Sequence, residues 1–173
     1  MEIVLSRCTL RPWRAGDEAA LVRHANNRNV SRNMRDRFPY PYTGADATEW
    51  IERTRAENPV LNAAIVIDGA PVGGIGLVPG TDVFRRSAEI GYWLAQPYWG
   101  RGIATEVLRA MTEYAFATLD ICRLEAGVFE WNPASARVLE KVGYTLEGRK
   151  RRSVTKEGRT IDWLWYARVR DDA

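Results

Sequence analysis

The hydrophobic pattern in the middle of the chain predicts a strand followed by a helix. The range Ser87–Ala95 carries several bulky apolar residues and predicts the strand, with Ile90, Tyr92, Trp93 and Leu94 as its apolar members. From Ile103 onward, apolar residues recur at the spacing of one buried helical face, at Ala104, Val107, Leu108, Met111, Ala115 and Leu119. The chain therefore contains a predicted strand, a short polar connection and an amphipathic helix in direct succession.

Shorter patterns predict the remaining elements. Strands are predicted at 3–10, 62–67, 71–78, 123–131, 146–154 and 160–169, and Asp68-Gly69 and Lys156-Glu157-Gly158 supply two hairpin turns. Helices are predicted at 17–26, with Asp17 as N-cap, at 134–142, and after an N-cap at Thr43 or Asp46. The range 28–37 forms a short helix or loop, and alternating prolines exclude regular structure at 38–42. This order indicates an α+β fold with helices on both faces of a sheet.

Composition limits the classes of protein to which the chain can belong. Its 173 residues suffice for a single domain, 1–173, with a buried core. A formal net charge of +3 is too small for a dedicated nucleic-acid-binding protein. Two isolated cysteines, Cys8 and Cys122, and one histidine, His24, form neither a disulfide framework nor a metal cluster, which favours a cytoplasmic protein without a metal cofactor. We expect no membrane span, and a homodimer is compatible with the sequence.

The connection between the central strand and helix has the features of an anion site. Pro97 ends the strand, and Gly100 and Gly102 allow the backbone to approach a ligand without an intervening Cβ. The first N–H groups of the following helix lack intrahelical partners and favour a negative group such as a diphosphate. The spacing matches neither a Walker P-loop nor the dinucleotide-binding pattern. Taken alone, the two glycines are equally compatible with a purely structural turn.

Three motifs lie along the central part of the chain, namely Glu89-Ile90-Gly91-Tyr92-Trp93-Leu94, Tyr98-Trp99-Gly100-Arg101-Gly102 and Asn132-Pro133-Ala134-Ser135. Together they resemble the GCN5-related N-acetyltransferases (GNATs), and within them the RimJ/RimL branch, named for ribosomal-protein N-terminal acetyltransferases. The similarity extends from Leu10 to Asp162. It implies the GNAT fold, with a mixed, mostly antiparallel central sheet that is splayed at its two central strands. It also implies transfer of an acetyl group from acetyl-CoA to a primary amine.

The resemblance implies which residues bind acetyl-CoA. Backbone groups at the end of the strand would bind the pantetheine arm and the oxyanion, and amides of the loop and helix would bind the diphosphate. The residues concerned are Tyr92, Trp93, Leu94, Trp99, Gly100, Arg101, Gly102, Ile103, Ala104 and Thr105. Trp99 stands where the wider family has Arg or Gln, which leaves its side-chain contact to the pyrophosphate open. Arg101 either pairs with a phosphate or points to solvent.

Glu89 is the candidate general base. Acetyl transfer requires a group that takes a proton from the attacking ammonium, and the chain's one histidine lies in an N-terminal helix. Glu89 is a carboxylate within an otherwise apolar strand just before the loop. The resemblance implies the same role, since a Glu on this strand often serves as the base, directly or through water. The alternative is a salt bridge to Arg85, Arg86 or a neighbouring strand.

Asn132 and Ser135 lie where a predicted strand gives way to a helix. Asn132 is a natural N-cap, and capping alone could explain it. The resemblance implies that Asn132 bonds the pantetheine arm and that Ser135 approaches the sulfur. Ser135 would then donate the proton to the leaving thiolate, or hold a water that does so.

The sequence specifies the acceptor amine less closely. The resemblance implies the α-amino group of a protein N-terminus, with ribosomal proteins as one class, and the aromatic residues Tyr40 and Tyr42 beside its entry. Asp162, an acid in an apolar strand, would pair with an acceptor amine or with a structural arginine. The alternatives are that the tyrosines only plug the core, that the acceptor is a small amine, or that the chain is a non-catalytic acyl-CoA-binding module.

Overall fold

The computed structural model describes residues 1–170 and contains eight strands and five helices within that range. The strands are β1 (Ile3–Val4), β2 (Thr9–Pro12), β3 (Asn62–Ile67), β4 (Ala70–Pro79), β5 (Ser87–Leu94), β6 (Arg123–Phe129), β7 (Thr145–Lys156) and β8 (Arg159–Val169). The helices are α1 (Glu18–Ala25), α2 (Arg28–Ser31), α3 (Gly44–Thr54), α4 (Ile103–Thr118) and α5 (Pro133–Lys141). The predicted α+β class is confirmed.

The strands form one mixed, mostly antiparallel sheet in the order β1-β2-β3-β4-β5-β6-β8-β7. Strands β5 and β6 are parallel neighbours, and their register runs from Ser87↔Arg123 to Glu89↔Glu125. Within the described residues, β5 and β6 both continue beyond this register without further pairing to each other. The pairing of the two central strands therefore ends at Glu89, which agrees with the predicted splaying of the sheet.

The chain divides into two compact units, each built from separated stretches. The first unit comprises Met1–Gly76 and Tyr92–Val107. Its core packs helices α1 and α3 against β3 and the residue after β2, through Trp13, Leu21, Ala25, Tyr42, Ala47, Ile51, Ala64 and Val66. Helix α3 begins with a capping box in which Thr43 and Asp46 satisfy each other's backbone N–H groups, so that Thr43 is the N-cap.

The second unit comprises Leu77–Gly91 and the described residues from Leu108 onward. It contains the long hairpin β7–β8, which β8 joins to β6 with register Arg123↔Val169 to Phe129↔Trp163. The buried hydroxyls of Thr112 and Tyr144 share a hydrogen bond of 2.8 Å, and burial raises the pKa of Tyr144 to about 12. The hairpin is thus joined to the sheet through residues 163–169 of its second strand.

Two predictions for the N-terminal part are wrong in detail. The range 3–10 is not one strand but two, β1 and β2, joined by a turn in which the Leu5 N–H donates to the Cys8 carbonyl at 2.9 Å. The turn contains neither glycine nor proline, so the sequence gives no turn signal there. Asp17 does precede α1, but its side chain makes no capping bond, because both carboxylate oxygens bind the buried Arg11 at 2.7 and 2.8 Å.

Candidate active site

The loop between β5 and α4, residues 96–102, has the backbone shape that the anion-site prediction requires. After a 3₁₀ turn at Gln96–Tyr98, Gly100 and Gly102 adopt left-handed φ angles of +75° and +78°. A Cβ at Gly100 would meet nothing within 4 Å, so open space surrounds that position. The N–H groups of the first turn of the 16-residue helix α4 follow directly. These residues fit a diphosphate, with backbone amides as its donors.

The two large side chains of this loop are engaged by the protein itself. The indole N–H of Trp99 donates to the Leu94 carbonyl at 2.7 Å, although the residue is 44% exposed. The guanidinium carbon of Arg101 lies 5.4 Å from the centre of the Tyr98 ring. The Trp99 N–H is therefore already used by the protein, and Arg101 does not simply point to solvent but stacks on a neighbouring ring. The backbone amides of the loop therefore stay the predicted phosphate contacts.

The end of β5, Tyr92–Leu94, is held in place by its neighbours in the first unit. A Cβ at Gly73 of strand β4 would lie only 2.5 Å from the Trp93 carbonyl oxygen, so the two backbones pass each other very closely. The Ala95 N–H donates to the Val72 carbonyl at 2.8 Å. The Trp93 ring packs edge-on against Phe38, with centroids 5.5 Å apart. A fixed strand end of this kind can present its backbone groups to a ligand without reorganisation.

Glu89 lies on the side of β5 that is not packed in the core. Along β5 the neighbouring Ala88 and Ile90 are buried whereas Glu89 is half-buried, as the predicted alternation requires. Its Cα partner on β6 is Glu125, so the two carboxylates stand on the same face of the sheet. Glu125 accepts hydrogen bonds from Arg123 at 3.1 Å and from the Trp165 indole at 2.9 Å.

Glu125 was not among the residues predicted for the site. The only sequence signal would have been the parallel pairing of β5 with β6, which places Glu125 beside Glu89. Arg123 also pairs with Glu147 on β7, so this arginine compensates two carboxylates. The predicted role of Glu89 as a base stays a prediction.

Asn132 occupies the N-cap position of α5. Its side-chain oxygen accepts a hydrogen bond from the Ser135 N–H at 3.3 Å, as the capping alternative predicted. The cap engages only the oxygen, whereas a bond to a pantetheine carbonyl would come from the amide nitrogen. Ser135 lies in the first turn of α5 and is half-buried. Both residues stay predictions as acetyl-CoA contacts.

Two of the predicted acceptor residues have partners within the protein. Tyr42 is 6% exposed in the core of the first unit, where it packs on Phe38, and burial raises its pKa to about 12. Asp162 pairs with Arg149 and also accepts the Arg152 N–H at 2.7 Å. These contacts match the structural alternatives, which are core packing for Tyr42 and an arginine partner for Asp162. The roles of both residues at the acceptor stay predictions. Tyr40, which is 54% exposed, remains an acceptor candidate.

The Cys8 thiol has none of the roles predicted for the site. Cys8 is buried, and burial, reinforced by the charge of Glu106, raises the pKa of its thiol to about 11. Such a thiol is a poor nucleophile at neutral pH.

Among residues 1–170, no three His, Cys, Asp or Glu side chains are grouped as a metal site. In the same range no helix has the length and apolar character needed to traverse a bilayer.

Comparisons with known proteins identify the family. The model of the acetyltransferase (GNAT) domain matches residues 7–145. An uncharacterized N-acetyltransferase of Bacillus subtilis, YokL, is 27% identical over 145 residues, which cover 83% of this chain and 80% of YokL. The putative ribosomal N-acetyltransferase YdaF of the same organism is 34% identical over 62% of this chain and 58% of its own length. The L-amino acid N-acetyltransferase AaaT of Escherichia coli is 28% identical over 70% and 75%.

Solved structures agree in fold over the whole chain. RimL, a ribosomal L7/L12 α-N-protein acetyltransferase in complex with coenzyme A, superimposes with a TM-score of 0.86 at 22% identity and covers all of both chains. RimJ of Mycobacterium smegmatis, in complex with CoA-disulfide, gives a TM-score of 0.82 at 28% identity, over 99% of this chain and 86% of RimJ. With the β5–α4 loop and the family match, these findings show that the chain belongs to the GNAT family and is an acetyl-CoA-dependent N-acetyltransferase.

Proposed function

We propose that the acceptor is the α-amino group of a protein or peptide N-terminus. The observation that carries this proposal is the charge of the segment that packs against the acetyl-CoA strand and loop. The segment from Asn27 to Tyr42, called here the acceptor segment, contains four arginines and one aspartate. Its formal charge is therefore clearly positive, which disfavours an acceptor that carries several positive charges.

Direct contacts join the acceptor segment to the end of β5. The side-chain amides of Asn27 and Asn29 both donate to the Gln96 side-chain oxygen at 3.0 Å. Phe38 of the same segment packs on Trp93, at the strand end whose backbone is predicted to bind the pantetheine arm. These contacts support the view that the segment borders the reacting end of acetyl-CoA.

The classes of acceptor differ in how well their charge complements the positive acceptor segment. A polyamine or aminoglycoside would need several carboxylates around its amines, and the acceptor segment offers only Asp36. A protein N-terminus presents one ammonium followed by neutral or acidic residues, which arginines tolerate or attract. The similarity to YdaF, a putative ribosomal N-acetyltransferase, and to RimJ supports the same class.

The chain's residues then divide the work of the reaction. Acetyl-CoA supplies an electrophilic thioester carbonyl and a thiol leaving group. Glu89, directly or through a water, takes a proton from the acceptor ammonium so that its nitrogen lone pair can attack. Backbone N–H groups of Tyr92–Leu94 donate to the oxygen that becomes negative. When the C–S bond breaks, the Ser135 hydroxyl, or a water it holds, donates a proton to the sulfur and regains one from the acetylated nitrogen, which must lose its second proton. Asn132 binds the pantetheine arm.

A matched set of acceptors tests the proposal. Peptides of one length are compared with a free N-terminus followed by acidic residues, with the same N-terminus followed by basic residues, and with a blocked N-terminus and an internal lysine. Free amino acids and spermidine complete the set, and mass spectrometry locates the acetyl group. We expect acetylation at the α-amine, with the acidic peptide favoured about tenfold in kcat/KM over the basic one. Spermidine as the best acceptor would contradict the proposal.

Glu89→Gln tests the catalytic assignment within the same assay. We expect kcat to fall by about 10²-fold or more, because the neutral amide cannot take a proton, while acetyl-CoA binding is unchanged. The control is Glu147→Gln, which also removes a carboxylate from the sheet but one that pairs with Arg123. An unchanged kcat in Glu89→Gln would show that another group is the base.

A free α-amino acid is the second candidate acceptor. Its amine resembles a protein N-terminus, and its carboxylate would suit the arginines of the acceptor segment. The similarity to AaaT favours this class specifically. Higher kcat/KM for free amino acids than for every peptide would select this alternative.

A further inference from the structure

Arg7 lies in the turn between β1 and β2, remote in sequence from the β5–α4 loop. The turn is closed by the hydrogen bond from Leu5 to Cys8, and the Arg7 side chain is 55% exposed. The first unit nevertheless places the guanidinium carbon of Arg7 4.0 Å from the position that a Cβ on Gly102 would occupy. A permanent positive charge therefore stands beside the glycine at the entrance to helix α4.

Glu106 fixes the β1–β2 turn in this position. Its carboxylate accepts the Ser6 N–H at 2.6 Å and an Arg7 guanidinium N–H at 3.4 Å. The Glu106 side chain is only 18% exposed and lies in the first turn of α4. Partial burial alone would raise its pKa, but the hydrogen bonds from Ser6 and Arg7 outweigh this effect and hold the pKa below its usual value. Glu106 is thus a charged clamp that ties the turn to the helix.

The geometry leaves the Arg7 guanidinium with donors to spare. A guanidinium carries five N–H groups, and those that the structure shows engaged reach Glu106 and the Ser6 hydroxyl from a single nitrogen, Nη1. The 3.4 Å bond to Glu106 is long for a charged pair. Arg101, the arginine that the sequence nominated for the phosphates, instead stacks on Tyr98. Arg7 is therefore the better placed of the two to supply a side-chain cation at Gly102.

We propose that Arg7 is a phosphate-binding residue of the acetyl-CoA site and that Glu106 is the residue that positions it. This inference rests on the acetyl-CoA binding by the β5–α4 loop described above. An arginine binds phosphate oxygens through paired N–H groups and adds a full charge to the neutral backbone amides of the loop. Coenzyme A offers two kinds of phosphate as partners for Arg7, the diphosphate and the 3′-phosphate of the ribose.

Titration calorimetry with two ligands distinguishes the phosphates. The wild-type protein and Arg7→Gln are each titrated with CoA and with dephospho-CoA, which lacks only the 3′-phosphate. We expect Arg7→Gln to weaken CoA binding by about tenfold or more, the usual size for a charged hydrogen bond. An equal loss for dephospho-CoA assigns Arg7 to the diphosphate. A loss seen only with CoA assigns Arg7 to the 3′-phosphate.

Two further variants separate binding from fold. Arg86→Gln removes a comparably exposed arginine, 46% exposed, from its ion pair with Asp120, and we expect it to leave CoA affinity unchanged. Glu106→Gln keeps the size of the side chain but removes the charge that pairs with Arg7. We expect it to reduce CoA affinity by less than Arg7→Gln does. Melting temperatures without ligand show whether each variant is folded.

The outcomes distinguish the proposal from its premise. Suppose that the wild-type protein binds CoA and that folded Arg7→Gln binds CoA and dephospho-CoA with the same affinities as wild type. Arg7 then only stabilises the β1–β2 turn, and the proposal is overturned. If the wild-type protein binds neither ligand, the assignment of acetyl-CoA binding to the β5–α4 loop is wrong, and the proposal for Arg7 is overturned together with its premise.

Discussion

The β5–α4 loop and strand β6 each contain a glycine whose replacement is costly, but the surroundings of the two glycines differ. Gly102 in the loop has a φ of +78°, and the nearest atom to a Cβ there would be the Arg7 guanidinium carbon at 4.0 Å. Gly127 in β6 has an ordinary strand conformation, and a Cβ there would overlap the indole ring of Trp163. Gly102 adjoins open space beside the Arg7 guanidinium, whereas the missing side chain of Gly127 leaves room for Trp163.

This contrast separates a binding glycine from a packing glycine. The left-handed conformation of Gly102 is accessible to glycine but strained for other residues. Among the described residues outside its chain neighbours, the atom nearest to a Cβ at Gly102 would be the Arg7 guanidinium carbon at 4.0 Å. At Gly127 the space is filled by Trp163, which itself stacks edge-on against Trp165 at 4.8 Å. The loop is therefore suited to receive a ligand, whereas β6 and the β7–β8 hairpin stabilise the sheet.

Replacing Gly102 by valine should have the largest effect. The side chain would stand among the backbone amides that are predicted to bind the diphosphate and would strain the left-handed backbone. We expect the Kd for acetyl-CoA to rise by about 100-fold or more, the equivalent of two lost charged hydrogen bonds, as measured by calorimetry.

Gly143→Val is the matched control for the loop. Gly143 also has a left-handed φ, +88°, and a Cβ there would meet nothing within 4 Å. Both variants should lose about 1–3 kcal/mol of unfolding free energy through backbone strain, but only the loop variant should lose affinity. Equal loss of affinity in both would refute the distinction between the two regions.

Gly127→Ala should lower stability without a direct effect on acetyl-CoA affinity. The new methyl group would force the Trp163 ring out of its packed position, and overpacking of this kind costs about 1–3 kcal/mol in chemical denaturation. Gly148→Ala in β7 is the control, because a Cβ at Gly148 would meet nothing within 4 Å. A Gly127→Ala protein as stable as wild type would show that β6 tolerates the added volume.

The smallest effect concerns the charges of the β7–β8 hairpin at acid pH. The Arg152 N–H, and then the Arg149 side chain, hold the pKa of Asp162 below its ordinary value of 3.8. Because the folded pKa is the lower one, the pairing stabilises the protein above the ordinary value and is lost as the pH falls through the folded pKa. Wild type should therefore exceed Asp162→Asn in melting temperature at pH 6, and the difference should shrink below about pH 4. A constant difference would contradict this assignment.

Local patterns sufficed to predict most of the fold. The Asp68-Gly69 turn, the helix from Ile103 and the β7–β8 hairpin are each encoded by neighbouring residues, and all three are confirmed. The β1–β2 hairpin was missed because its turn contains no glycine or proline and is held by Glu106, 100 residues away from Ser6. The capping bond expected of Asp17 was displaced by Arg11, a partner that helix rules do not consider.

The sequence predicts the candidate site only where a single short segment of the chain forms it. Gly100 and Gly102 form a backbone feature encoded within a few residues, and their left-handed conformations agree with the prediction. The surroundings of individual side chains depend on tertiary packing. For that reason the sequence alone places neither Arg7 beside Gly102 nor Glu125 beside Glu89. It also leaves open whether Tyr42 belongs to the core and whether Asp162 pairs with an arginine, and the structure shows both contacts.

Binding of acetyl-CoA by the wild-type protein can be measured by calorimetric titration with acetyl-CoA, desulfo-CoA and ATP. We expect micromolar binding of acetyl-CoA and similar binding of desulfo-CoA, which keeps the phosphates and the pantetheine arm. We expect much weaker binding of ATP, which lacks the pantetheine that the end of β5 would hold. Absence of binding by either CoA species, or tighter binding of ATP than of acetyl-CoA, would contradict this expectation.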